Sequence, residues 1–174
     1  MDAVAPDRHR IVTWNDPAET AAHARALPGL EYLHRLTSGQ IPAAPVAQLV
    51  GLRSTYVLPG RVVFAYEPRE EHYNALGAVD AGILTTVLDA AMAAAVQSLL
   101  AAELGLATVE LRTSFVRPVT LASGPLRAEG VVVHSGSRLA TAEAKLVDAS
   151  GRLHANASST ALVLPHEHKL PLAA

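Results

Sequence analysis

The sequence contains no cysteine, and that one absence removes disulfides, thiolate nucleophiles and cysteine-ligated metal sites together. Charge is scarce as well: 17% of the 174 residues are Asp, Glu, Lys or Arg, and the formal net charge of −2 offers nucleic acid no electrostatic footprint. Half of the residues are apolar, which argues against disorder. The sequence has no glycine-rich phosphate loop, dinucleotide fingerprint, nucleophile elbow or zinc motif. Internal repeats and low-complexity segments are also missing, apart from a richness in alanine. The first residues, MDAVAPDRHRIVTW, lack the basic start and continuous apolar core of a secretory signal. Residues 81–102 are long enough to span a bilayer, but Asp89, Gln97, Ser98 and the pair Thr85-Thr86 argue against it. The expectation is one cytoplasmic domain with a real core and neither nucleic-acid nor membrane partners.

What the chain does have is one organising stretch, His72 to Leu104, reading HYNALGAVDAGILTTVLDAAMAAAVQSLLAAEL. It opens as a polar loop and becomes a helix apolar on nearly every side, the pattern of an interior helix. Asp89 is its one charged residue before Glu103, and a desolvated carboxylate is costly unless it is paired, hydrogen-bonded or used. The preceding loop, Asn74 to Gly82, adds an amide side chain, flexible backbone and the free N–H groups of a helix start, which favour developing negative charge. Backbone donors followed two turns later by an inward carboxylate suit attack of water on a carbonyl. Two plainer readings stay open. Asp89 could hydrogen-bond a neighbouring backbone, and Asp80, a favoured N-cap residue, could satisfy the first N–H groups of the helix.

Around this stretch the remaining elements follow in order. Asn15-Asp16-Pro17 predicts a helix start, running through Ala26 to a stop near Pro28-Gly29, and Leu30 to Leu36 predicts a second, short helix. Residues 40–46 read as a linker into a helical turn ending at Gly51. Strands are predicted at Leu52 to Leu58 and Arg61 to Glu67, joined by Pro59-Gly60, with Gly105 as the stop of the long helix. Further strands follow at Ala107 to Arg117, Leu126 to Ser135, Arg138 to Asp148 and Leu153 to Leu164. The short turns between them imply antiparallel neighbours. Residues 1–10 are expected to be mobile, His72 to be a surface residue that could line the site mouth, and His166-Glu167-His168 to be solvated rather than metal-bound.

Asn74, Gly77, Gly82 and Asp89, in the spacing Asn-x-x-Gly-x-x-x-x-Gly with the acid seven residues on, resemble the phenylacetate-pathway type of hotdog-fold acyl-CoA thioesterase. The run Thr108 to Pro118 resembles the strand after the helix in that family, and His134-Ser-Gly136-Ser137-Arg138 its later hairpin turn. The likeness covers about residues 47 to 164. It implies an α+β hotdog fold, an antiparallel sheet wrapped around a central apolar helix. The organisation is then an N-terminal helical extension and linker (1–46), a hotdog domain (47–165) and a tail (166–174). Two positions depart from the family pattern, both in the active loop: Asp80-Ala81 stands where the family usually has His-Gly. Ala81 keeps the N–H but disfavours positive φ.

The resemblance implies hydrolysis of an acyl thioester, with no metal or redox cofactor and coenzyme A as part of the substrate. Asp89 would be the general base or nucleophile, Ala81 N–H the oxyanion donor, Asn74 the positioner and Thr108 the group that orients water. Substrate contacts would come from His72, Gly77, Asp80, Gly82, Arg117, Gly136, Ser137 and Arg138, the two arginines facing phosphate. It also implies a homodimer, or a dimer of dimers, with the loop of one subunit facing Asp89 and Thr108 of the other. Two other functions stay in view. One is a non-hydrolytic enzyme (dehydratase, isomerase or cyclase) using Asp80 and Asp89 as an acid-base pair, and the other is a silent binder of acyl thioesters.

Overall fold

Helix α4 (Ala81–Gln97) sets the geometry of the molecule, as the computed structural model, which describes residues 8–166, makes clear. Its Leu84, Val87, Leu88, Ala91, Met92, Ala95 and Val96 recur at three- and four-residue steps, and all are buried. They face one antiparallel sheet of six strands: β1 (Leu52–Leu58), β2 (Arg61–Tyr66), β3 (Leu104–Phe115), β4 (Leu126–Ser135), β5 (Leu139–Asp148) and β6 (Leu153–Pro165). The spatial order is β1-β2-β4-β5-β6-β3. This is the hotdog arrangement expected from the sequence.

The inner face of the sheet alternates with the outer one, as pleating requires, and much of it is alanine: Ala128, Ala140, Ala142, Ala144 and Ala155 are all buried. Small side chains let the helix lie low on the strands. A close approach occurs at Gly130 of β4, where a Cβ would sit 2.2 Å from the Ala91 carbonyl oxygen.

Three helices precede the sheet. In α1 (Pro17–Ala26), Asp16 caps the first turn by accepting from Ala18 N at 2.9 Å and Pro17 takes the first helical position, as expected. Helix α2 (Gly29–Thr37) buries Leu33, and α3 (Pro45–Val50) ends on Gly51 in the left-handed region. The extension is tied down at both edges of the hotdog. Gly29 N donates to Leu100 O and Glu103 N to Arg25 O on one side, while Thr37 Oγ1 meets Ser54 Oγ at 2.7 Å on the other.

Two expectations are corrected. The long helix does not stop at Gly105. It ends at Gln97, where Ser98 Oγ bonds Ala95 O and receives Gly60 N, and Gly105 lies inside β3 opposite Leu164. The left-handed turn leading into β3 is made instead by Glu103, with φ of 69°. Nor is α4 enclosed on every side, because Ile83, Thr85, Thr86, Asp89, Ala90, Ala93 and Gln97 are only half-buried. Of the expected mobile start, residues 1–7 lie outside the described residues, as does the tail beyond His166, including Glu167 and His168.

The Gly130 contact generates a test of the packing. Gly130→Ala should cost about 1–3 kcal/mol in urea unfolding, the usual penalty for overfilling a packed core. An unchanged midpoint would mean that the helix is free to lift off β4.

Candidate active site

The loop before α4 is shaped by its own side chains. Asn74 Oδ1 accepts from Leu76 N at 2.9 Å, Gly77 N donates to Asn74 O, and Asn74 N donates to Ala78 O, closing a tight turn. Gly77 sits at φ 77°, a conformation that a side chain would strain. The loop is stapled to the segment after β3: Val79 N donates to Val119 O, and Leu121 N donates to Tyr73 Oη at 2.7 Å.

Asp80 then starts the helix. Its Oδ1 accepts from Gly82 N at 2.8 Å, the N-cap reading that the sequence left open. With Ile83 N and Leu84 N both directed to Asp80 O, Ala81 N–H is left without an acceptor among the described residues. Glu103 is the one non-glycine residue with positive φ among them, so Ala81 replaces glycine without backbone strain.

His72 corrects an expectation, since the ring is buried under the loop rather than exposed at its mouth. Its Nδ1 is hydrogen-bonded to Tyr66 Oη at 2.9 Å and the two rings stack, while its carbonyl receives Asp80 N. Burial pushes the imidazole below its ordinary pKa, outweighing the opposing pull of Glu71. His72 therefore supports the loop from beneath.

Asp89 and Thr108 come together from different elements. Thr108 Oγ1 donates to Asp89 Oδ1 at 3.0 Å. The register of β3 against β6 shifts between Thr108 and Glu110, and a bulge of this kind re-aims the neighbouring side chain. The sequence carried no sign of that bulge.

The predicted binding residues separate into two groups. Arg117 follows β3 beside the loop, with its guanidinium donating to Leu153 O at 2.6 Å. Gly136, Ser137 and Arg138 form the β4–β5 turn, closed by Gly136 N donating to Leu139 O, and Arg138 O receives Val163 N at the far end of the sheet. From that level of β3, near Leu106, to its end at Phe115, just before Arg117, is about 30 Å of extended strand. One chain thus holds Ala81 N–H with Arg117 at one end, and Asp89 and Thr108 towards Arg138 at the other.

A supporting cluster escaped the sequence reading. Val116 N and Arg117 N both donate to His154 O, and the His154 ring contacts Pro118 O at 3.2 Å and Asp148 Oδ2 at 3.4 Å. Asp148, itself buried, accepts from Ser150 N and Oγ and from Arg152 N and Nε. Ala149-Ser150-Gly151 was legible as a turn, but not as the anchor of the Arg117 segment.

The model of the thioesterase superfamily matches residues 76–155. No curated protein matches the chain. Similar solved structures include a thioesterase family protein from Silicibacter pomeroyi, 28% identical, covering 76% of this chain and 98% of its own, with a TM-score of 0.69. A phenylacetic acid degradation-related protein from Ralstonia eutropha is 27% identical, covering 75% and 98%, with a TM-score of 0.69. AziG from S. sahachiroi is 26% identical, covering 70% and 98%, with a TM-score of 0.68.

Asp148 yields a pH-dependent test. Its hydrogen bonds, that from Ser150 Oγ foremost, hold the carboxyl well below the usual carboxylate range despite the opposing effect of burial. A depressed folded-state value contributes stability that is complete above about pH 4 and is lost as pH falls through that value in strong acid. Asp148→Asn should lower the urea midpoint at neutral pH, and the gap to the natural chain should close on acidification. A gap independent of pH would mean that the charge does not hold the turn.

Proposed function

We propose that this hotdog-fold chain is a member of the thioesterase superfamily and hydrolyses acyl-CoA thioesters to the free acid and coenzyme A. The observation that carries the reading is the Asp89–Thr108 pair, 3.0 Å apart on the half-open face of α4. Asp89 is the general base. Thr108 Oγ1 donates a hydrogen bond to Asp89 Oδ1, which fixes the carboxylate and leaves a hydroxyl lone pair to orient the attacking water. Ala81 N–H, at the positive end of α4 and free of any acceptor among the described residues, receives the oxyanion as water adds to the thioester carbonyl. The C–S bond then breaks, and the proton taken by Asp89 leaves on the thiolate.

One chain does not bring these parts to one carbonyl. Ala81 and Asp89 are eight residues apart on a rigid helix, about 12 Å along its axis. Two copies resolve this, the loop of one subunit supplying Ala81 N–H and the other supplying Asp89 and Thr108. The free edge of β3, with Val109 and Phe115 exposed, is the natural seam, since it has no strand beyond it among the described residues. In such a homodimer Arg117 of one subunit and Arg138 of the other flank the same site and suit the nucleotide phosphates.

Thiol release from a panel of acyl-CoAs is the primary test, and Asp89→Asn should reduce it by about 10²–10⁴-fold. Ala81→Pro removes the N–H at a first helical position that tolerates proline, and should cost about 10²–10³-fold without unfolding α4. Unfolding and refolding the two inactive variants together in equal amounts should restore about a quarter of natural activity, because half the dimers are mixed and each carries one intact site. No recovery would rule out the shared site. In Asp80→Asn the cap is kept and an anion beside Ala81 N–H is removed, so kcat should rise about two- to fivefold. An unchanged kcat would confine Asp80 to capping.

A further inference from the structure

A groove of about 660 Å³ runs from the Asp89 face of α4 to the N-terminal extension. Its floor is the helix stripe of Thr86, Ala90, Ala93 and Gln97, and its walls include Leu36 of α2, Val46 of α3 and Phe64 of β2. Thr86 and Ala93 stand three residues before and four after Asp89, so the floor and the carboxylate share one face of the helix. The groove exists because its lining is small: six of its residues are alanines, from the segment that includes α3 and from α4. It is mostly apolar, and Val46 on its rim is 52% exposed. Among the described residues, Arg53 is the one charged side chain that lines it.

We propose that this groove holds the acyl group of the substrate, and that the N-terminal helices select an unbranched, apolar chain of medium length. The inference rests on the thioesterase reading for the position of the reacting carbonyl. From Asp89, the floor extends eight residues to Gln97, about 12 Å. A zigzag alkyl chain with C–C bonds of about 1.5 Å fills that length with roughly eight to ten carbons. A carbonyl held beside Asp89 and Thr108 has an apolar path for its tail along Ala90 and Ala93, beneath α2 and α3. Methylenes buried there leave water and gain affinity one by one, whereas an acetyl group stops short of the groove.

The test uses the full-length protein and straight-chain acyl-CoAs from acetyl to dodecanoyl. For the natural chain, kcat/KM should climb with length, peak near octanoyl or decanoyl and fall beyond it. Ala93→Phe fills the groove from its floor, and Val46→Trp from its exposed rim, where the fold is little disturbed. Either should lower the octanoyl-to-acetyl ratio of kcat/KM by about thirtyfold. Calorimetric titration of Asp89→Asn with octanoyl-CoA and acetyl-CoA separates binding from chemistry, with octanoyl-CoA expected to bind at least about tenfold tighter. Length-selective binding that Val46→Trp abolishes, without turnover of any thioester, would uphold the groove and overturn the hydrolytic reading. Affinity and turnover that ignore chain length, or a ratio unmoved by both variants, would overturn the groove.

Discussion

Everything in this molecule depends on how low α4 lies on its sheet. The Ala91 carbonyl passes over Gly130 with no room for a methyl group between them, and alanines line much of the surrounding inner face of the sheet. Small residues on both sides trade side-chain volume for backbone proximity. The sheet curls round the helix, and both of its edges, β1 and β3, come within reach of α1 and α2. The extension can then close over the end of α4 near Gln97, leaving the half-turn around Asp89 less covered. The position of the carboxylate follows from packing before any chemistry is considered.

A helix held that firmly also works as a ruler. Its first N–H and its only carboxylate are fixed relative to each other, and no side-chain rotation closes a gap of about 12 Å. The same rigidity that positions each half of the proposed site prevents one chain from completing it. The bulge beside Thr108 adds to this division, since it turns the hydroxyl of an edge strand inward towards Asp89 while the strand's outer hydrogen-bonding groups stay available. Loop and Arg117 are one rigid unit, tied through Val119 and Tyr73, and Asp89, Thr108 and the Arg138 turn lie towards the other end.

Much of this was legible in the sequence where a local rule decides the outcome. Pro17 after Asp16, Pro59-Gly60, and the turns at Ser135-Gly136 and Ser150-Gly151 mark boundaries by chemistry that acts within a few residues, and β1 and β4 fall on the predicted bounds. The spacing from Asn74 to Asp89 likewise assembled the loop and the helix correctly. The misses are long-range. Gly105 looks like a helix stop, but the chain leaves the helix at Ser98 because that hydroxyl is wanted by Gly60 in a distant hairpin. His72 is polar and stands among charged neighbours, yet Tyr66 draws it inside with one hydrogen bond and one stacked ring. The His154–Asp148 anchor is invisible for the same reason, since its partners lie across a turn and on another strand.

The Asp80-Ala81 pair shows how such a site tolerates change. A glycine at the proposed oxyanion position is needed only if the backbone there has positive φ, and in this chain it does not, so alanine costs nothing in conformation. Aspartate before it is a good cap, and the cap binds Gly82 N rather than Ala81 N. The donor that matters to the proposed reaction is thus spared, while the charge beside it opposes the oxyanion it would serve. In the proposed reaction, fold stability and transition-state stabilisation would draw on the same few N–H groups at a helix start, and Asp80 would favour the first at some expense to the second. An uncharged cap would relieve that conflict without moving the backbone, since on the proposed reading the opposition is electrostatic and local to this loop.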